Sequence, residues 1–98
     1  MRVEWDEAKN RLNLAKHKIG FETAALVFDD PHSLSDLDRI VDDEERWQTI
    51  GMISGVPVLV AHTWREREED GEDVIRLISA RKASSAERKN YEAHKKSG

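Results

Sequence analysis

The clearest pattern along the chain is a pair of apolar-rich runs, residues 46–53 and 56–65, separated by Ser54 and Gly55. Runs of this length rich in Ile, Val, Thr and Trp read as strands, and a two-residue Ser-Gly step between them reads as a tight hairpin turn. The turn sets the register. With Ile53 opposite Val56, Thr49 faces Val60 and Trp47 faces His62, which puts Trp47, Thr49, Val58, Val60, His62 and Trp64 on one face, expected to be the core face. The other face carries Arg46, Gln48, Ile50, Met52, Leu59, Ala61, Thr63 and Arg65, and is polar toward one end. Residues 74–81, VIRLISAR, form a further strand that holds Arg76 and ends at Arg81, with Lys82 next. An unpaired guanidinium is too costly to bury, so these arginines turn to solvent, a carboxylate or an anion, while Ile75 and Leu77 face the helices. A two-residue turn at Asp70 and Gly71 sets Arg65 opposite Arg76, a like-charge pair that needs an offsetting anion; a longer loop separates them.

Residues 2–5 suit a short edge strand. Asp6 reads as an N-cap for a helix over EAKNRLNLAKHK, with Ala8, Leu12 and Ala15 at helical spacing, Glu7 in the first turn and Gly20 as the stop. Residues 21–28 predict a second short helix whose stripe of Phe21, Ala24, Ala25 and Phe28 enters the core. Residues 33–41 alternate weakly as a strand, and the acids at 42–45 mark a loop. Ser84 followed by Glu87 makes a capping box, so residues 85–95 form the last helix. The class is α+β: an antiparallel sheet of about four strands with two N-terminal helices and one C-terminal helix packed on it, in one domain over residues 1–98.

Composition narrows the chemistry. There is no cysteine, and His17, His32, His62 and His94 are scattered, so neither a metal nor another cofactor is expected. No apolar run approaches the roughly 18 residues of a membrane span, which predicts no membrane contact and a cytoplasmic location. The net charge is −4, yet unevenly placed: residues 21–45 hold nine acids against Arg39, whereas residues 81–98 hold six bases against two acids. A polyanion therefore still has a local basic surface to meet.

Phosphate loops, nucleophile elbows and HExxH are absent. The residues able to act are Lys16, His17, His62, Arg65, Arg76, Arg81, Lys82 and Tyr91. Cleaving RNA requires a base for the 2′-hydroxyl, cations for the charge on phosphorus and an acid for the leaving 5′-oxygen, and Lys, His and Arg supply all three without a metal. The same residues also have plain structural uses, such as ion pairs with the acids of residues 66–73 or a buried, satisfied His62. Read alone, they leave a nucleic-acid-directed domain and an interaction module both open. Arg81 and Lys82 precede a helix N-terminus, a natural place for an anion.

The segments WDEAKNRLNLAKHKIGFETAALVF, HTWR and RLISARKASSAERKNYE resemble the BrnT toxins, whose pattern runs WDxxKxxxNxxKHGIxFxxAxxVF, then a strand ending in xR, then RIISARxAxxxERxxYE. Lys18 stands where that pattern has glycine. The resemblance implies a RelE-like fold and a ribonuclease toxin of a type II toxin-antitoxin system that arrests translation, neutralised by a BrnA-like antitoxin through which alone it meets operator DNA. It places the catalytic set at Lys16, His17, Arg65, Arg76 and Arg81, with Lys82 and His62 as RNA contacts. Lys16 or His17 takes the 2′-hydroxyl proton, Arg65 and Arg76 stabilise the phosphorane, and Arg81 and Lys82 hold the backbone. The acidic stretch from Asp29 to Glu45 is then either a candidate antitoxin surface or a solvated loop. The rival expectation is a non-catalytic module or corepressor subunit acting with a DNA-binding antitoxin.

Overall fold

The Ser54–Gly55 step forms the predicted turn, with positive φ at both residues (48° and 81°), as a mirror-image hairpin turn requires. In this computed structural model, which describes residues 1–97, it joins β3 (Glu44–Ile53) to β4 (Val56–Thr63) in the expected register, Ile53 with Val56, Thr49 with Val60 and Trp47 with His62. The expected strand over 33–41 is β2 (Leu34–Val41). The acids after it form a second hairpin turn, with φ of 50° at Asp42 and 64° at Asp43.

The sheet is larger than expected and not purely antiparallel. Strand β6 (Asp73–Lys82) pairs antiparallel with β4 and with a two-residue strand, β5 (Arg65–Glu66), while its other side pairs parallel with β1 (Arg2–Trp5). The result is a mixed, six-stranded sheet in the order β1-β6-β4-β3-β2, with β5 beside β6. The expected four-stranded antiparallel RelE-like arrangement is corrected on this point, while the α+β class stands. Parallel pairing links residues some seventy positions apart and leaves no turn signature; it is favoured here because Val3 and Trp5 pack against the cluster containing Ile75 and Leu77.

The N-terminal helices also differ. Helix α1 (Glu7–His17) is capped by Asp6, whose carboxylate accepts from the amides of Ala8 (2.8 Å) and Lys9 (3.3 Å). Ala8, Leu12 and Ala15 are exposed, however, and the residue that faces inward is Asn13. The helix ends at Lys18, not at Gly20: Lys18 takes the left-handed conformation, φ 62°, and its N–H donates to the Leu14 carbonyl. The second helix is a single turn, α2 (Phe21–Ala24), that tightens into a 3-10 turn over Ala25–Asp29. This turn lies hard against β3, where a Cβ at Gly51 would sit 2.8 Å from the Val27 carbonyl oxygen. Helix α3 (Ser85–Ser97) opens with the expected capping box: the Ser84 amide donates to Glu87 (2.8 Å) and the Glu87 amide to Ser84 Oγ (3.2 Å).

The two faces of the sheet are covered unequally. One packs Val58, Val60, Ile75, Leu77 and Ala80 of the strands against Phe21, Ala24 and Val27 of the N-terminal helical turns. The other has a small cluster, Ile50, Leu59 and Tyr91, where α3 crosses. Tyr91 anchors that helix by donating to Asp30 Oδ2, which also accepts from the Met52 amide.

Candidate active site

A bulge in β6 creates the arrangement of its cations. His62 pairs with Leu77 but Ala61 with Ser79, so one residue of β6 is extra and the side-chain alternation shifts by one. Ile75, Leu77 and Ala80 therefore share the core face, while Arg76, Ser79 and Arg81 share the opposite face, beyond the small cluster under α3. Lys82, paired with Val58, falls on the core side of the strand and is exposed at its end.

The hairpin register adds a third arginine. Arg46 pairs with Thr63, whose Oγ1 accepts from the Arg76 amide (3.3 Å), so Arg46 and Arg76 are neighbours across the sheet. Their guanidinium groups meet at one carboxylate oxygen, Glu44 Oε1, at 3.3 Å from Arg46 Nη2 and 3.0 Å from Arg76 Nη2. Arg46 Nε is buried with no hydrogen-bond partner in the protein. At the other end of the row Arg81 is gripped in bidentate fashion by Glu87, at 2.8 and 2.9 Å. The Arg81 hydrogen bonds hold the Glu87 carboxyl at about 2, against the opposing effect of burial, with the Ser84 amide assisting. The anion position at the α3 N-terminus is thus filled by the helix's own Glu87.

Lys16 and His17 approach the middle of this row from α1. They line an open cavity of about 270 Å³ together with Lys9, Asn13, Ile78 and Ser79. Asn13 sets this approach. Beyond Leu77, β6 keeps β4 on one side but, among the described residues, has no strand on the side of β1, and the Asn13 amide pairs with that free edge instead: Oδ1 accepts from Ala80 N (3.0 Å), and Nδ2 donates to Ala80 O (2.8 Å) and Ile19 O (2.9 Å).

Two expected members lie apart. Arg65 pairs with Val74, not Arg76, because the connection after β5 is longer than two residues: the Arg67 amide donates to Glu72 O, and Arg67 gathers Asp70 and Glu72 inside the loop. Arg65 lines cavities with Trp64 and Glu45. His62 is fully buried, stacked edge-on against Phe28. A carbonyl only accepts, so Nδ1–H donates to Thr63 O (2.9 Å), and Nε2 of the neutral ring accepts from Thr49 Oγ1 (2.7 Å), which accepts in turn from Ser35 Oγ (2.7 Å). Burial pushes its pKa below the ordinary histidine value, in keeping with the neutral ring. Tyr91 serves packing and the bond to Asp30.

Sequence reasoning did not single out Arg46 and Glu44. The signal was present in the Ser54–Gly55 register, which places Arg46 on the Thr63 face; only the neighbouring register of β6 was needed to bring Arg76 beside it.

A family model described as the ribonuclease toxin, BrnT, of type II toxin-antitoxin systems matches residues 5–87, from Trp5 before α1 to Glu87 in α3. No curated protein matches the chain. No helix among the described residues is long and apolar enough to cross a membrane. A type II system pairs its toxin with a protein antitoxin. The match covers most of the chain, including Lys16, His17, Arg46, Arg76 and Arg81, and the chain belongs to the BrnT family of ribonuclease toxins.

Proposed function

We propose that the protein cleaves RNA without a metal on the open sheet face, and that Arg76, Arg81, Lys16 and His17 carry the reaction. The observation behind this reading is the row Arg76, Ser79, Arg81 on one face of β6, with the α1 end alongside Ser79. Arg76 and Arg81 are five residues apart, about 13–16 Å along a strand, room for a short stretch of RNA backbone. Guanidinium groups suit this work because they bind phosphate oxygens through paired N–H donors and stay charged. Lys16 or His17 accepts the 2′-hydroxyl proton, the 2′-oxygen attacks phosphorus to form a 2′,3′-cyclic phosphate, and the 5′-oxygen leaves with a proton given by the other of the two in its protonated form. Arg46, beside Arg76, adds positive charge to the same phosphate. Arg65 and Lys82 contribute at the margins. His62 acts only by holding the end of β4.

The antitoxin of this reading is BrnA-like and carries the operator contact, while the toxin arrests translation by removing RNA. Purified protein mixed with RNA in EDTA tests the catalytic part. Cleavage is expected, and it falls by roughly two orders of magnitude in Arg76→Ala, the scale of losing one charge-stabilising donor. Normal cleavage in both Arg76→Ala and Arg81→Ala refutes the assignment. Absence of cleavage by the wild type under all conditions favours the corepressor alternative.

A further inference from the structure

The sheet end remote from Arg81 has the opposite character. Two adjoining cavities of about 350 and 580 Å³ share Glu45, Trp64 and Arg65 and form one open groove. Its aromatic wall is Trp47 and Trp64, packed edge to face with centroids 5.3 Å apart. Its rim is acidic: Asp43, Glu44, Glu45, Glu66 and Asp73 surround a single base, Arg65. Beside it runs β2, the last strand of the sheet, where Leu37, 47 % exposed, pairs with Trp47, and Ile40, 63 % exposed, reaches the groove.

Some neighbouring acids are held in ion pairs. Arg67 alone gathers Glu69, Asp70 and Glu72, and Glu44 holds two arginines. Yet Asp43, Glu45, Glu66 and Asp73 take part in no ion pair among the described residues. Carboxylates without an ion-pair partner, around half-buried indole rings and exposed aliphatic side chains, repel RNA and favour a cation with apolar neighbours. A guanidinium is the best match, since it stacks on tryptophan while its N–H groups reach carboxylates.

We propose that this groove is where the protein antitoxin docks, seating an arginine against Trp47 and Trp64 with flanking apolar residues over Leu37 and Ile40. The partner's existence rests on membership of a toxin-antitoxin family; the groove itself does not rest on the cleavage mechanism. Neutralisation then works from the side, by a segment that enters the sheet at its acidic end and continues toward Arg46 and Arg76.

The test uses the triple variant Glu45→Gln, Glu66→Gln, Asp73→Asn, all exposed positions whose change leaves the core intact. Its affinity for the cognate purified antitoxin should fall by about tenfold or more, the combined scale of three charge pairs, and the loss should shrink in high salt. RNA cleavage by the variant should equal that of the wild type. In parallel, an eight-residue peptide of alternating Arg and Leu should change tryptophan emission saturably in the wild type and not in the variant, while a Glu and Leu peptide should leave both unchanged. Antitoxin affinity within twofold of wild type overturns the proposal, as does equal response to the two peptides. Failure of the wild type to cleave RNA would strike only the catalytic reading, because antitoxin affinity is measured separately.

Discussion

Replacing Asn13 with alanine removes three hydrogen bonds at once and leaves their partners, Ala80 N, Ala80 O and Ile19 O, without the side chain that satisfies them. Asn13 is 6 % exposed and its bonds to Ala80 are buried, so water replaces them poorly. An unmet buried donor or acceptor costs about 1–3 kcal/mol, and three of them, with some relaxation, should cost about 3–5 kcal/mol, a large share of the roughly 5–15 kcal/mol that holds a small domain together. Urea unfolding followed by tryptophan emission measures this directly as a lower midpoint with an unchanged slope. Asn13→Asp is the sharper probe. It keeps an acceptor for Ala80 N but points its other carboxylate oxygen at two carbonyls, so it should be as damaging as alanine near neutral pH. Its carboxyl pKa is then raised in the folded state, and the deficit should narrow as pH falls and the carboxyl gains a proton to donate. RNA cleavage should drop in both variants, because the same bonds hold Lys16 and His17 beside Ser79. A loss below about 1 kcal/mol for Asn13→Ala would refute the claim that this side chain substitutes for a neighbouring strand.

Lys18→Gly should stabilise the protein by up to about 1 kcal/mol, since glycine occupies the left-handed position without the Cβ penalty, read as a raised unfolding midpoint. Gly51→Ala should destabilise by about 1–3 kcal/mol, because its Cβ meets the Val27 backbone at 2.8 Å and the 3-10 turn must move; calorimetry decides. His62 is buried neutral, with its pKa lowered first by desolvation, so the unfolded chain binds its proton more readily. Stability is present in full above the ordinary histidine range and declines as pH falls through it, by at most about 1.4 kcal/mol per pH unit; His62→Gln should lose that component of the slope. Glu87, held at about 2 by Arg81, works in the same direction at lower pH: its contribution is present above the unfolded carboxylate range and lost as pH falls toward 2, and Glu87→Gln should flatten the acid limb of the stability profile.

What the sequence made legible were the features written locally. The Ser54–Gly55 turn, the β3–β4 register and the Ser84–Glu87 box each depend on residues a few positions apart, and each is found as read. What it concealed depends on distant chain. The parallel β1–β6 pair has no turn to announce it, and the bulge near Ile78 shows only once β4 and β6 are aligned. Helix α1 misled in a different way. Its apolar residues at helical spacing, Ala8, Leu12 and Ala15, lie exposed, and because the edge of β6 needs amide partners more than it needs methyl groups, the polar Asn13 turns inward. The candidate site was partly legible for the same reason. Arg76 and Arg81 stood out as cations in an apolar strand, whereas Arg46 became significant only through the register that sets it beside Arg76.

The two ends of the arginine row are held by carboxylates in different ways, and this separates their roles. Glu87 is fixed three times over, by both Arg81 nitrogens and by the Ser84 amide, and its position also closes the first turn of α3. Displacing it would expose a helix terminus as well as break an ion pair, so Arg81 is the stiffer partner and orients α3 over the sheet. Glu44 has no such second duty to a helix. One of its oxygens serves Arg46 and Arg76 through single contacts at 3.3 and 3.0 Å, on side chains that are partly exposed. An exposed pair of this kind is worth only about 0–1 kcal/mol, less than a phosphate gains from two guanidinium groups at once. Exchange of Glu44 for a phosphate oxygen is therefore the easier step, and it leaves the Glu44 carboxylate displaced beside the acidic groove. On the proposed cleavage reading, the Arg46–Arg76 end is therefore the one suited to receive an RNA phosphate, with Arg81 fixing the far end of that surface.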